Sequence, residues 1–293
     1  MVDLVGKVLT PLLLVFIGIL IIINFLNPIG PVLAPAEAYM SHSFFKGFQE
    51  GYLTMDALAA FVFGIIIINI MRERGATTKK EIMISSLKVA LVAGTLLAII
   101  YSSLSYMGAT SASELGHLEN GGAVLAGISY YYFGSFGKVI LAFIVIAACL
   151  TTSIGLITAC ASYFNQLVPS ISYKSWATIF TIFSAIISNV GLSALIEFSV
   201  PVLLMLYPIC ICLMFLTFMD PLFKGKKEVY QISILFTFIV SIFDGLSAAG
   251  IVVSSVDNLF ESILPLYSVG LGWLIPAVVG GIIGYLLTLG KRI

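Results

Sequence analysis

Residues 48–57 read Phe48-Gln49-Glu50-Gly51-Tyr52-Leu53-Thr54-Met55-Asp56-Ala57. The stretch lies in the outer half of an apolar run, 44–71, longer than the ~20 residues that one membrane crossing needs. A plain transmembrane helix would carry leucine there. Glycine, a β-branched threonine and an aspartate stand together instead. In a continuous helix, Asp56 would meet lipid or a neighbouring helix at a cost of about 3 kcal/mol on an insertion scale. A break at Gly51–Thr54 changes that account. Backbone carbonyls freed from the helix ladder can ligate a cation, and the N-terminus of the following half-helix can face a carboxylate. Asp56 then falls in a first helical turn, where a negative side chain is favoured. The plainer alternative is that Thr54 and Asp56 only cap a kinked helix.

Working outward, seven further apolar segments accompany this one. The eight expected spans are 7–26, 44–71 (broken), 83–107, 138–165, 175–192, 194–218, 229–250 and 266–290. Between the fifth and sixth, Asn189 and Gly191 leave room for a very tight turn. The composition demands a bilayer. Of the 293 residues 60% are hydrophobic and 10% charged, and the mean hydropathy is +1.13. An ordinary soluble domain carries ~25% charged residues. A soluble enzyme, a nucleic-acid binder and a disordered chain are thereby excluded. The first run has no small-residue cleavage site and is itself of spanning length, so it reads as a span and not as a signal peptide.

The net charge is zero, so the information is in where the charges fall. Lys7, the segments 72–80 (Arg72, Arg74, Lys79, Lys80), 166–174 (Lys174) and 219–228 (Lys224, Lys226, Lys227), and the terminal Lys291 and Arg292 all alternate onto one face. That face is expected to be cytoplasmic, with both termini. The opposite face holds Glu37, Glu114, Glu119, Asp257 and Glu261 against Lys46 and Lys138. Residues 27–43, with three prolines and a glycine, read as a stiff turn. Residues 108–137 carry Asn120-Gly121-Gly122 and the Tyr130–Phe133 aromatic run. They either cap the outer face or form an interfacial belt.

A second polar cluster is Thr151-Thr152-Ser153, followed by Gly155 and Thr158. Neighbours on a helix stand about 100° apart, so not all three hydroxyls face one way. They read either as hard oxygen ligands for a small cation or as packing groups bonded to their own helix. Glu197, with Pro201 and Pro208 after it, marks a kinked span whose carboxylate is expected at headgroup level. Asp244 with Gly245 and Gly250 is expected outside the candidate core. Gly280-Gly281 and Gly284 read as helix packing. His42 and His117 stand alone. The four cysteines, Cys149, Cys160, Cys210 and Cys212, sit in apolar runs without a CxxC and read as packing residues. No Walker motif, no GxGxxG entering a helix and no HExxH is present, which argues against an ATP-driven pump or an intramembrane metalloprotease.

The stretch 48–60, continued through Leu58-Ala59-Ala60, resembles the signature of the bacterial branched-chain amino acid carriers, the LIVCS cation symporter family. So do Cys149–Ala161 (CLTTSIGLITACA), Pro169–Trp176 (PSISYKSW), Ser199–Pro208 (SVPVLLMLYP) and the opening Gly6-Lys7-Val8-Leu9-Thr10-Pro11. The resemblance covers nearly the whole chain, with the motifs in family order. It implies an all-α membrane protein of the LeuT-type inverted-repeat fold. Only the C-terminal two-thirds of that fold is represented: the eight spans match family helices five to twelve, and the first four helices have no counterpart. The resemblance further implies that Gly51, Tyr52, Leu53, Thr54, Met55 and Asp56 line the substrate. It assigns cation ligation to Thr54 together with Thr151, Thr152 and Ser153.

The resulting expectation is a single transmembrane domain in a bacterial plasma membrane. It carries leucine, isoleucine and valine by symport with Na⁺ or H⁺, with no enzymatic chemistry, no cofactor and no metal beyond a possible Na⁺. Met55, Phe61 and Phe63 are candidate walls of an apolar pocket. The bilayer and a missing N-terminal part are the expected partners, and nucleic acid is not. The alternatives are a truncated, non-transporting remnant of such a carrier and a membrane channel or sensor. The latter is disfavoured because no segment resembles a selectivity filter or a charge-rich voltage-sensing face.

Overall fold

A computed structural model describes residues 2–290, and among them the only regular structure is helical. In chain order the α-helices are α1 (Val2–Leu26), α2 (Glu37–Met40), α3 (Ser43–Glu50), α4 (Asp56–Glu73), α5 (Lys79–Leu115), α6 (Gly121–Leu167), α7 (Tyr173–Ser188), α8 (Leu192–Phe223), α9 (Lys227–Ala248), α10 (Ser254–Ile263) and α11 (Leu274–Gly290). Short 3₁₀ turns occupy Gly51–Thr54 and Tyr267–Val269. Of the charges expected on the cytoplasmic face, Lys291, Arg292 and the side chain of Lys7 lie outside the described residues.

By length and composition α5, α6, α8 and α9 are each able to cross a bilayer. The bent pair formed by α3, its 3₁₀ turn and α4 makes a fifth candidate. The described residues are thus all-α, with four or five helical segments of membrane-spanning length and hydropathy, as a membrane protein requires. α1 over Pro11–Leu26 and α11 over Leu274–Leu289 are shorter apolar helices. The expected span 175–192 overlaps α7, which starts two residues earlier and whose 16 residues reach ~24 Å at 1.5 Å per residue. The expected span 266–290 becomes α-helical only at Leu274, because Leu266 and Gly270 adopt left-handed backbone. The stretch 27–43, expected to be a turn and not a helix, holds the single-turn α2 after its last proline, Pro35, and the amphipathic α10 lies in a segment where no helix was expected.

Local chemistry sets the helix ends. Thr78 and Glu81 form a capping box: Thr78 Oγ1 accepts the Glu81 N–H at 3.2 Å, and Glu81 Oε2 accepts the Thr78 N–H at 3.2 Å, satisfying donors that the first turn leaves open. Asn120 caps α6 through the Ala123 N–H at 3.0 Å. α6 is two helices joined across Gly134, whose φ of 60° and ψ of −150° suit a residue without a Cβ. Three prolines, Pro201, Pro208 and Pro221, lie inside α8, each withholding one ladder donor.

The chain divides into two compact units. One comprises residues 2–34 with Phe61–Ser193. In it Phe16, Leu20, Met107 and Ile128 form a buried cluster of α1, α5 and α6. Asn24 of α1 is fully buried there. Its Nδ2 donates to Thr110 Oγ1 at 3.1 Å, and its Oδ1 accepts the Tyr132 hydroxyl at 3.1 Å. Phe164 packs on Trp176 and Phe180, joining α6 to α7.

The other unit comprises Pro35–Ala60 with residues 194–290. Its core joins Cys212 and Leu216 of α8 to Val229 and Val240 of α9 and to Trp273 and Ala277. α9 and α11 meet backbone to backbone. A Cβ at Gly280 would stand 2.7 Å from the Ile232 carbonyl, and one at Gly284 would stand 2.6 Å from that of Glu228. The Ser233 hydroxyl ties the pair by donating to the Ala277 carbonyl at 2.7 Å.

Candidate functional site

The site grows from the break between α3 and α4. Gly51–Thr54 tightens into a 3₁₀ turn, and Met55 then turns left-handed at φ 60° and ψ 4°. A non-glycine residue rarely adopts that conformation. The chain bends by 42° across the break. Thr54 donates its hydroxyl to the Gly51 carbonyl at 2.8 Å, and the Met55 N–H reaches the Tyr52 carbonyl at 3.2 Å. Two of the carbonyls at the break thus already accept one bond each, and each keeps a second lone pair. Asp56 opens α4 and lies in its first turn.

α8 holds the break in place. Tyr52 stacks on Tyr207 with ring centroids 4.7 Å apart and an interplanar angle of 16°. Leu203 joins them in a buried cluster, with Leu53, Ala57 and Leu58 packed against it. Phe48 meets the edge of Tyr52 at 5.6 Å. One turn earlier, Gln49 lies against Gly270, where any Cβ would collide with its carboxamide. The second 3₁₀ segment is thereby docked on α3.

Three buried polar atoms here have no hydrogen-bond partner among the described residues: the Tyr52 and Tyr207 hydroxyls and Trp273 Nε1. The three residues are 3%, 4% and 2% exposed, so none is satisfied by bulk solvent. The Tyr52 hydroxyl lies near the Trp273 indole and the Asp244 carboxylate of α9. The Tyr207 hydroxyl lies near Thr54, the Ala57 backbone and Asp56. Two phenols and an indole supply donors, and the Asp56 and Asp244 carboxyl groups supply acceptor oxygens. That set can address both ends of a zwitterion: donors for a carboxylate, carboxyl oxygens for an ammonium or a cation.

Of the residues singled out from the sequence, Gly51, Tyr52, Leu53, Thr54, Met55 and Asp56 share this one locus. Tyr52 is buried, Thr54 and Met55 are exposed, and Leu53 and Asp56 are intermediate. Thr151, Thr152 and Ser153 lie in α6, in the other unit. Thr151 donates to the Ala148 carbonyl at 2.7 Å and Thr152 to the same carbonyl at 3.1 Å. Each spends its proton on its own helix and keeps lone pairs to offer. Phe63 packs on Gly155 of α6, 3.0 Å from where a Cβ would be. Phe61 is 41% exposed.

Tyr207 and Trp273 went unremarked in the sequence, and Asp244 was set outside the core. The available signal was the burial cost of a carboxylate in an apolar run. Its neighbour Tyr52 is far away along the chain, so only the fold reveals the pairing. Among the described residues no group of three or more His, Cys, Asp or Glu is placed to hold a metal.

Comparison with known proteins identifies the context of this site. The family described as Branched-chain amino acid transport protein matches residues 1–291. The branched-chain amino acid permease BrnQ of Bacillus subtilis (strain 168) is 57% identical over 98% of this chain and 66% of its own length. BraB of the same organism, also a branched-chain amino acid permease, is 45% identical over 98% of this chain and 65% of its own. BrnQ of Lactobacillus delbrueckii subsp. lactis is 42% identical over 94% of this chain and 63% of its own. The chain thus spans just under two thirds of the length of these relatives. No solved structure matches it. With a match that runs nearly end to end, the chain belongs to the branched-chain amino acid transport protein family, whose members are transporters and not enzymes.

Proposed function

We propose that the chain supplies the larger part of a secondary carrier for leucine, isoleucine and valine, coupled to Na⁺ or H⁺, in a bacterial plasma membrane. The single observation that carries this reading is the break at Gly51–Met55 with the unpartnered Tyr52, Tyr207 and Trp273 donors beside it. A broken membrane helix exposes backbone dipoles at mid-depth, where they act on a charged ligand without competition from water. In this reading the first turn of α4 and the phenols take the substrate carboxylate. Asp244 or Asp56 attracts positive charge, and the aliphatic side chain enters apolar surroundings that include Met55. Thr151, Thr152 and Ser153 offer oxygen to the driving cation. In this reading the eight helical segments correspond to family helices five to twelve of a LeuT-type arrangement, with Lys- and Arg-rich loops cytoplasmic.

The test is uptake of labelled leucine, isoleucine, valine and lysine into vesicles under imposed Na⁺ and pH gradients. The chain is assayed alone and joined to the N-terminal third of the Bacillus subtilis relative. The joined carrier should accumulate the three aliphatic amino acids and not lysine. Asp56→Asn should be milder than Asp56→Leu, because Asn also serves at a helix start. Absence of gradient-driven aliphatic uptake by the joined, membrane-inserted protein would refute the reading.

A further inference from the structure

Beside the core of α8, α9 and α11 runs a groove of about 490 Å³, inside the ~300–1,000 Å³ range of small-molecule sites. Its cause is a small-residue face on α11. Ala277 and Gly281 leave space in front of Ser233, and a Cβ at Gly281 would find its nearest atom 3.8 Å away. Phe215 and Met219 of α8 form one wall, and Val278, Ile282 and Tyr285 of α11 form the other. These five side chains are 39–62% open, from Tyr285 at 39% to Val278 at 62%. The groove therefore opens sideways, toward the apolar medium around the helices.

One end of the groove is cationic. Lys226 places Nζ 5.0 Å from the centroid of the Tyr285 ring, which lines the groove, and donates to Thr288 Oγ1 at 2.6 Å. An ammonium has three donors, and among the described residues only Thr288 takes one, which leaves two for a ligand. Lys224 and Lys227 flank it in sequence. Of the nearby acids, Asp220 is engaged in accepting the Tyr230 hydroxyl at 2.8 Å. An apolar trough ending in an ammonium that stands over an aromatic ring complements a molecule with a long hydrocarbon chain and an anionic head. In a membrane, that molecule is an acidic phospholipid.

We propose that the groove between α8 and α11 holds one acyl chain of an acidic phospholipid, with Lys226 on its phosphate. The head group meets Lys226 at the end of α11 nearest the α8–α9 turn, and the chain runs along Gly281 toward Trp273. A zwitterionic lipid of equal chain length fills the trough but gains less from the ammonium. Occupancy needs no transported substrate, so it is independent of the carrier's cycle.

The experiment uses the purified 293-residue chain in detergent, with phosphatidylglycerol and phosphatidylcholine of identical acyl chains as probes and retained lipid counted by native mass spectrometry. Phosphatidylglycerol should be retained about fivefold better, the effect of one basic residue at an anionic surface. Lys226→Gln should remove that preference. Val278→Trp, at an exposed position that fills the trough, should lower retention of both lipids. Lys138→Gln, a cation over the Tyr130 ring in the other unit, should change nothing. Unchanged helical circular dichroism certifies each variant as folded, and Ile282→Trp substitutes for Val278→Trp if that variant fails. Equal retention of the two lipids overturns the proposal, as does a preference that survives Lys226→Gln or falls equally with Lys138→Gln. So does conversion of a dimer to a monomer by Val278→Trp without lipid loss, which would make the groove a contact between two copies.

Discussion

Replacing Met55 by alanine and by glycine makes a pair of variants that reads out the break directly. Both remove the same side chain, which is 43% exposed, so the lost packing cancels between them. What differs is the backbone. At φ 60° and ψ 4°, an L-residue pays ~1–2 kcal/mol that glycine does not. Against this, glycine loses ~0.5–1 kcal/mol more conformational entropy on folding than alanine. The net expectation is that Met55→Gly is more stable than Met55→Ala by about 1 kcal/mol, roughly a fivefold difference in unfolding equilibrium. In an uninterrupted helix the order reverses, since alanine is favoured there by about 1 kcal/mol. The two backbones thus differ by about 2 kcal/mol in what they predict for one pair, with opposite signs. The assay is reversible unfolding of both variants in mixed micelles, with far-ultraviolet circular dichroism as the signal. Stability of Met55→Ala above Met55→Gly would refute the left-handed turn, and the bent site built on it would fall with it.

Three other outcomes are expected. In a background without the native cysteines, Thr77→Cys should resist an impermeant reagent applied from outside and Glu119→Cys, at an exposed position, should react; the opposite pattern would invert the orientation. Tyr52→Phe and Tyr207→Phe each remove a buried hydroxyl with no hydrogen-bond partner among the described residues. Since an unsatisfied group costs ~1–3 kcal/mol, each variant should melt no lower than the parent while leucine uptake by the joined carrier falls; lower melting with intact uptake would remove both hydroxyls from the site. Thr152→Val should raise the half-saturating cation concentration more than it lowers maximal uptake, as loss of one hard oxygen predicts, and a flat Na⁺ dependence in parent and variant alike would return this hydroxyl to packing.

Part of the architecture was legible because bilayer thickness fixes the length of apolar runs: each of the eight expected segments overlaps a helix, and four or five of them are long and apolar enough to cross a bilayer. The break at Gly51–Thr54 was legible for the same reason: a glycine and an aspartate interrupt a run that otherwise has no cause to be polar. Asn24 offered a comparable signal, since an amide inside an apolar run needs partners. Its partners Thr110 and Tyr132 are contributed by two other helices, so the sequence could not name them. Tyr207 and Trp273 are ordinary aromatic residues until packing strips their polar atoms of water. Asp244 becomes part of the site only because α9 brings it to Tyr52. The helix α10 escaped notice because a ten-residue amphipathic stretch is too short to register as a span.

The seam between α9 and α11 has a consequence at the level of the gene. At Gly280 and Gly284 the neighbouring main chain occupies the space of a Cβ, and main chain cannot swing aside as a side chain does. Every single-base change that alters a glycine codon to another amino acid introduces that Cβ. At these two positions the genetic code therefore offers no gentle neighbour, and even alanine must push two helices apart. Among carriers that keep this seam, variation in α11 should gather on the opposite face, and revertants of a Gly284→Ala carrier should map to the facing residues of α9 where its backbone can shift, around Glu228 and Val229.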